Sequence, residues 1–183
     1  MAPNYLLYSD FNCPFCYALH ERLHELQLLD RCEWRGVQHA PHLPRPMKAW
    51  GGSLGAELRH EVAVVQRLAP GLPIALPSGK PNTGPAIALA ASLFQRDREA
   101  GMRMVDNLYQ AFWVKGQDIS NPLVLDEFGI PDGSDLDQVM GEWNAAWHET
   151  GQAGVPLVVS PGGVVLVGCV PTEQIQAFFD LPD

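Results

Sequence analysis

The 183-residue chain contains four cysteines, and two of them stand three apart in Cys13-Pro14-Phe15-Cys16. On one helical turn, residues i and i+3 share a face. Their sulfurs can therefore close a disulfide, which needs Cα atoms within about 4.4–6.8 Å of each other. At a helix start, unpaired backbone N–H groups and the positive end of the dipole favour a thiolate on the first cysteine. Cys13 is then the expected exposed nucleophile. Cys16, one turn inside, is the expected resolving thiol that expels a mixed disulfide. Pro14 and Phe15, between them, are expected to meet substrate and tune the redox poise. The competing use of such a pair is half a zinc site. Structural zinc usually takes four ligands, often from two CxxC-like pairs, but Cys32 and Cys169 are isolated in the sequence. A cluster of Cys13, Cys16 and His20 is the conceivable variant. Dithiol chemistry without a metal or an organic cofactor is the expectation, because a CxxC pair between a strand and a helix has the context of a redox motif.

The surrounding elements must place that pair. Tyr5-Leu6-Leu7-Tyr8 is short, apolar and aromatic, and reads as a buried strand. Pro14 suits the first turn of a helix, where its missing N–H costs nothing. Over 15–29 the spacing of Leu19, Leu23 and Leu26 predicts an amphipathic helix, and 33–38 predicts a second strand. Strand, helix and strand in succession form a βαβ unit with parallel strands. A Pro- and Gly-rich loop is expected over 39–52, and another with five prolines over 70–85. Helices are predicted over 54–68, 86–98, 102–114 and 122–128, the last opened by Ser120-Asn121-Pro122. Ser134-Asp135-Leu136-Asp137 predicts a cap on a further helix ending near 149. Strands return at 155–159 and 164–167 around the turn Ser160-Pro161-Gly162-Gly163, and Thr172 is expected to cap a last helix over 173–179.

A βαβ unit and a ββα unit sharing one sheet make a thioredoxin fold, an α/β architecture with strand order second, first, third, fourth. Here the two units are separated by helices. The expected division is a thioredoxin-like domain over 1–48 and 150–183, with an inserted helical domain over 49–149. In that fold Gly154-Val155-Pro156 faces the CxxC. Proline cannot donate to a sheet ladder and belongs at a strand's first residue. A cis Val155–Pro156 bond would turn the Val155 backbone outward to pair with an extended substrate.

Composition narrows the partners. Net charge is −9, from 12 basic and 21 acidic residues, which argues against nucleic acid and anionic membrane, whose phosphates call for basic clusters. No apolar run reaches the roughly 18 residues of a membrane span. The first ten residues lack a basic and apolar leader pattern, so a cytoplasmic protein is expected. Oligomeric state is not legible.

Other reactive or aromatic residues receive plainer readings. Cys32 and Cys169 fall at opposite edges of a four-stranded sheet, roughly 14 Å apart at about 4.8 Å per strand, so no bridge is expected. Asp10 reads as a strand-end turn residue that could also moderate the nearby thiol. Phe11, Trp113, Trp143 and Trp147 read as packing residues, and His39, His42 and His60 as solvated.

Three stretches carry a family resemblance. These are Tyr8-Ser9-Asp10-Phe11-Asn12-Cys13-Pro14-Phe15-Cys16-Tyr17, Lys115-Gly116-Gln117-Asp118-Ile119-Ser120-Asn121, and Gly154-Val155-Pro156-Leu157-Val158-Val159 followed by Val167-Gly168. Together they resemble the DsbA-type thioredoxin superfamily and, within it, the FrnE-like cytosolic branch. The resemblance implies a thioredoxin core with an inserted helical domain. It also implies dithiol–disulfide exchange by Cys13 and Cys16 with protein or small-thiol partners, and a cis-proline role for Val155 and Pro156. Leu157 departs from it, standing where many relatives have Thr. The same superfamily holds glutathione-using isomerases and transferases related to 2-hydroxychromene-2-carboxylate isomerase and the kappa-class enzymes. Those typically have Ser at the Cys13 position and no CxxC. They supply the alternative reading, with glutathione as co-substrate.

Overall fold

A computed structural model describes residues 4–133 and 135–181. Four strands form one sheet in the order β2-β1-β3-β4, as the pattern of elements predicts. Strand β1 (Tyr5–Ser9) pairs in parallel with β2 (Cys32–Gly36) and antiparallel with β3 (Leu157–Val159). Strand β4 (Val165–Val167) closes the hairpin with β3. Helix α1 (Pro14–Glu25) joins β1 to β2 through a short 3-10 turn at Leu29–Arg31. Between β2 and β3 lie α2 (Ser53–Leu68), α3 (Gly84–Phe94), α4 (Arg98–Tyr109), α5 (Pro122–Leu125) and α6 (Leu136–Glu149). The terminal helix is α7 (Thr172–Phe179). Among the described residues no helix is long and apolar enough to cross a membrane.

Several boundaries differ from expectation, each for a local reason. Helix α1 stops at Glu25 rather than 29 because Gln27 takes a left-handed φ of 57°, a conformation that ends helices. The second strand runs Cys32–Gly36 rather than 33–38, although the Val37 N–H still donates to the Ser9 carbonyl. The expected break between α3 and α4 falls earlier than the apolar periodicity places it, since α3 ends at Phe94 rather than 98. Asp97 makes it by accepting from the Glu99 N–H at 2.9 Å, so α4 starts at Arg98 instead of 102. It continues through a wide π turn, Gln110–Val114. Asn121 caps α5 as read, accepting from the Leu123 N–H with Pro122 in the first position, but α5 ends at Leu125. The expected cap at Ser134 lies outside the described residues. Pro156 stands just before β3 rather than as its first residue. Thr172 is the first residue of α7, not its cap, and its hydroxyl accepts from Arg22.

One cluster of buried side chains crosses both regions of the chain. Phe11 lies against Trp34 from β2 and Tyr109 from α4, at ring separations of 5.3 and 5.0 Å. Tyr17, Trp113 and Phe112 continue it into the helical insertion. A second, smaller group gathers Tyr8, Val37, Leu157 and Trp147 on the other face. The four aromatics read as packing residues do pack. Phe11, Trp113 and Trp147 are buried, and Trp143 stands half-buried, edge-on to Trp34.

Candidate functional site

Strand β1 ends at Ser9 and the chain must turn into α1 within four residues. Cys13 is the residue before the helix, with an extended backbone at φ −102° and ψ 118°, and Pro14 occupies the first turn. The carbonyl of Cys13 accepts from the Cys16 and Tyr17 N–H groups at 3.1 and 3.2 Å, which winds the first turn and sets both thiols on one side. Both thiols are unbonded to any other sulfur.

The Val155–Pro156 peptide is cis, as expected, and it faces the dithiol: the Cys13 thiol lies 3.5 Å from the Val155 carbonyl, in donor geometry. One expectation needs correcting. Cys13 is not an exposed nucleophile but is 7% accessible, against 1% for Cys16. The packed Val155 segment stands over its sulfur. Of the two intervening residues, Pro14 is buried and Phe15 is partly open.

Behind the dithiol the site is polar, with Ser9, Asp10, Thr83 and Tyr109 buried. The Asp10 N–H donates to Cys16 Sγ at 3.4 Å. Burial pushes the Cys16 thiol well up, helped by the adjacent Cys13 and opposed by the Asp10 N–H and the Ser9 hydroxyl. Ser9 Oγ is 2.7 Å from the hydroxyl of Tyr109, whose own ionisation burial also pushes well up. The Asp10 carboxylate accepts from the Thr83 hydroxyl at 2.6 Å, from the His39 backbone N–H at 3.0 Å and from His39 Nδ1 at 2.7 Å. His39 is therefore not solvated: its side chain is 25% accessible and held by a buried acid. His42 and His60 are exposed, as read.

His20 places Nε2 2.6 Å from Asp106 Oδ1. Among the described residues no three His, Cys, Asp or Glu side chains gather as a metal site. Cys32 and Cys169 stay apart in topology, at the start of β2 and two residues past β4. Cys169 nevertheless shares the electrostatic surroundings of Cys13, and burial raises its thiol. The chain reaches that place because the Gly168 N–H donates to the Pro156 carbonyl at 2.8 Å.

The helical insertion grips the dithiol segment from several sides. The Trp113 indole donates to the Phe11 carbonyl, the Asn12 amide to the Pro81 carbonyl, and the Tyr17 hydroxyl to the Pro73 carbonyl. The Trp147 indole donates to the Gly154 carbonyl, beside Val155. Asn82 ties the 39–52 loop to the insertion, accepting from Gln38 and Arg45 and donating to the Pro41 and Leu43 carbonyls. Asp118 does the same from the Lys115–Asn121 stretch, accepting from the Met47 N–H. Sequence reasoning missed Ser9, Thr83 and Tyr109. They meet the site across separations of up to 100 residues, and short-range patterns carry no such signal.

The profile of the DSBA-like thioredoxin domain matches residues 6–180. The chain belongs to that family. A search of curated proteins finds no significant match. Among solved structures, the DSBA-like chain resembles a putative protein disulfide isomerase from Nitrosomonas europaea, with a TM-score of 0.75 at 18% identity, covering 98% of this chain and 97% of the other. It also resembles the cytosolic disulfide reductase DsbM from Pseudomonas aeruginosa, solved with GSH, with a TM-score of 0.68 at 18% identity and coverage of 97% and 99%. A 2-hydroxychromene-2-carboxylate isomerase gives a TM-score of 0.66 at 19% identity, with coverage of 96% and 92%. At these identities the likenesses speak for the fold.

Proposed function

We propose that this protein is a thiol–disulfide oxidoreductase that exchanges its Cys13–Cys16 dithiol or disulfide with protein or small-thiol substrates. The observation that carries the reading is the pairing of two thiols at the start of α1 with Cys13 Sγ set against the Val155 carbonyl. In the reducing direction the Cys13 thiolate attacks a substrate disulfide R–S–S–R′. A Cys13–S–S–R bond forms, and R′S⁻ leaves and takes a proton from solvent. Cys16 then loses its proton and attacks Cys13 Sγ. The Cys13–Cys16 disulfide forms, RS⁻ leaves, and the substrate has gained the two electrons that the dithiol has lost. Run backwards, the same steps oxidise a substrate dithiol.

The two sulfurs carry the electrons, so the reading requires no resident metal or organic cofactor. Glutathione fits as a co-substrate that returns the disulfide to the dithiol, and a reducing cytoplasm fits that direction. Phe15 and the Val155 backbone are the groups beside the sulfurs where an extended substrate would lie, with Pro14 and Pro156 packed behind them.

Insulin reduction with glutathione as electron source tests the reading. Replacing Cys13 with Ser removes the nucleophile, and activity should fall to the uncatalysed rate. Retention of wild-type activity by Cys13→Ser would end the proposal. The fold shared with the isomerase supports the glutathione-dependent alternative. The paired sulfur at Cys16 weighs for the dithiol reading, because an isomerase of that type has no use for it.

A further inference from the structure

Asp10 makes side-chain hydrogen bonds that the two exchange steps above leave unused. It lies in the turn between β1 and α1 and touches both cysteines through its backbone. Its carbonyl accepts from the Cys13 N–H at 3.1 Å, and its own N–H donates to Cys16 Sγ at 3.4 Å. Its carboxylate has no access to water and reaches two other parts of the chain. Thr83, the residue before α3, donates its hydroxyl to Oδ1 at 2.6 Å. His39, past the end of β2, brings its backbone N–H to 3.0 Å and Nδ1 to 2.7 Å from Oδ2.

We propose that the Asp10 carboxylate, pinned by Thr83 and His39, holds the Asp10 N–H on Cys16 Sγ as a preset donor to the thiolate that resolves the mixed disulfide. The Asp10 side chain is then a positioning group for resolution, and Thr83 and His39 act through it. The inference rests on the dithiol reading above and concerns only its second step.

The need for a fixed donor follows from burial. Cys16 is 1% accessible and must carry negative charge at the moment it attacks Cys13. A buried anion without donors is costly, and a donor fixed in advance toward that charge stabilises it without reorganising. The pairing of β1 with β2 ends at Ser9, so no strand partner holds the Asp10 N–H. The anchored carboxylate supplies that constraint from the same residue. The other titratable groups around this sulfur are engaged. During resolution Cys13 is bound up in the mixed disulfide. The Tyr109 phenol, from α4, is kept protonated by burial. On α1 itself, His20 is held by Asp106, and Tyr17 donates to the Pro73 carbonyl.

The test mixes reduced protein with oxidised glutathione. The Cys13 thiolate displaces one glutathione thiolate and forms the Cys13–glutathione disulfide. The Cys16 thiolate then attacks Cys13 Sγ, closes the Cys13–Cys16 disulfide and expels the second glutathione thiolate. Rapid acid quench and mass spectrometry follow both steps as a function of pH. Asp10→Ala frees the N–H, and loss of one hydrogen bond to a charged sulfur should raise the pH midpoint of resolution by about one unit. Below the midpoint the thiolate fraction falls about tenfold. The more basic thiolate recovers about threefold in nucleophilicity, so resolution slows about three- to fourfold. Formation of the mixed disulfide should keep its rate, because the Asp10 N–H meets the sulfur of Cys16 and not that of Cys13. Thr83→Val removes one anchor at nearly constant shape and should move the midpoint the same way by about half as much. It decides the matter if Asp10→Ala does not fold. Asp10→Asn can still accept from His39 and bond Thr83, whose hydroxyl both donates and accepts. It should therefore bring the midpoint back to the wild-type value or below it. An unchanged midpoint in either Asp10→Ala or Thr83→Val would overturn the proposal. So would equal slowing of both steps, which marks a general loosening of the fold. An Asp10→Asn profile like that of Asp10→Ala would overturn it too, because a restored anchorage would then not restore the donor. A wild-type protein that forms no mixed disulfide would overturn the dithiol reading itself, and this role of Asp10 with it.

Discussion

Cys16 and Cys32 are both buried thiols, and they lie toward opposite ends of the same pair of strands. Cys32 opens β2 opposite Tyr5, while Cys16 sits beyond the far end of β1, where Ser9 pairs with Gly36. Burial raises both thiols, and Cys32 is pushed up to about 12 even with Arg98 and Arg31 pulling the other way. The difference lies in what meets each sulfur. Cys32 Sγ donates to the Leu28 carbonyl at 3.7 Å, a contact that suits only the neutral thiol. Cys16 Sγ receives an N–H and has a second thiol beside it. On the proposed reading, what separates the two sulfurs is the donor and partner sulfur that meet Cys16 and not Cys32, since both are buried.

Catalysis should break the symmetry between the two most sharply. Cys16→Ser should abolish turnover in insulin reduction and leave substrate trapped on Cys13, visible as a mass adduct under oxidising conditions. Cys32→Ala should keep activity within about twofold of wild type, because nothing in the exchange passes through it. Equal losses in the two variants would mean that the sulfur environments do not decide the chemistry. Activity that survives Cys16→Ser would move the reading toward a glutathione-dependent isomerase.

Stability gives the next largest contrast. Asp10 accepts three hydrogen bonds with no access to water. Asp10→Ala strands the Thr83 hydroxyl and the His39 N–H groups, and should cost about 3–5 kcal/mol in urea unfolding, as removing one partner of a buried charged network does. Cys32→Ala removes one sulfur from an apolar site and should cost only about 1 kcal/mol. An Asp10→Ala cost no larger than that of Cys32→Ala would show that the polar end is not held by its carboxylate.

The two ends also differ in how far they were legible in the sequence. The strand before Cys13, the helix after it, the sheet order and the proline opposite all follow from short-range patterns: apolar alternation, a Pro in a first turn, a hairpin between Val runs. These are local rules, and local chain geometry obeys them. What lies behind the dithiol follows no local rule. Thr83 and Tyr109 reach Asp10 and Ser9 only because the helical insertion folds back over the end of β1, with Trp113 and Asn12 bonded across, and His39 comes to Asp10 from the chain that leaves β2 beside it. His39 reads as solvated because nothing beside it in sequence offers a partner, whereas its partner is Asp10, 29 residues away. The apparent exposure of Cys13 fails for the same reason: what covers it is the Val155 segment, 142 residues on.

Alkaline unfolding sharpens the comparison by its smallest effect. The ordinary thiol pKa is about 8.5 in an unfolded chain, and burial holds Cys32 up to about 12 in the folded one. Below about pH 8.5 both states keep the proton, and the group's contribution to stability is fully present. Above it the unfolded chain releases a proton that the folded protein retains, so the unfolded state binds fewer protons and stability falls as pH rises. The loss is about 1.4 kcal/mol per pH unit for one such group, up to the folded value. Cys32→Ala should remove that slope and so flatten the decline between about pH 9.5 and 11. Cys16, also raised, adds a slope of the same sign at the other end of the strands. Urea midpoints measured across this range should therefore fall less steeply for Cys32→Ala than for wild type, and a parallel decline would show that Cys32 is not held neutral by burial.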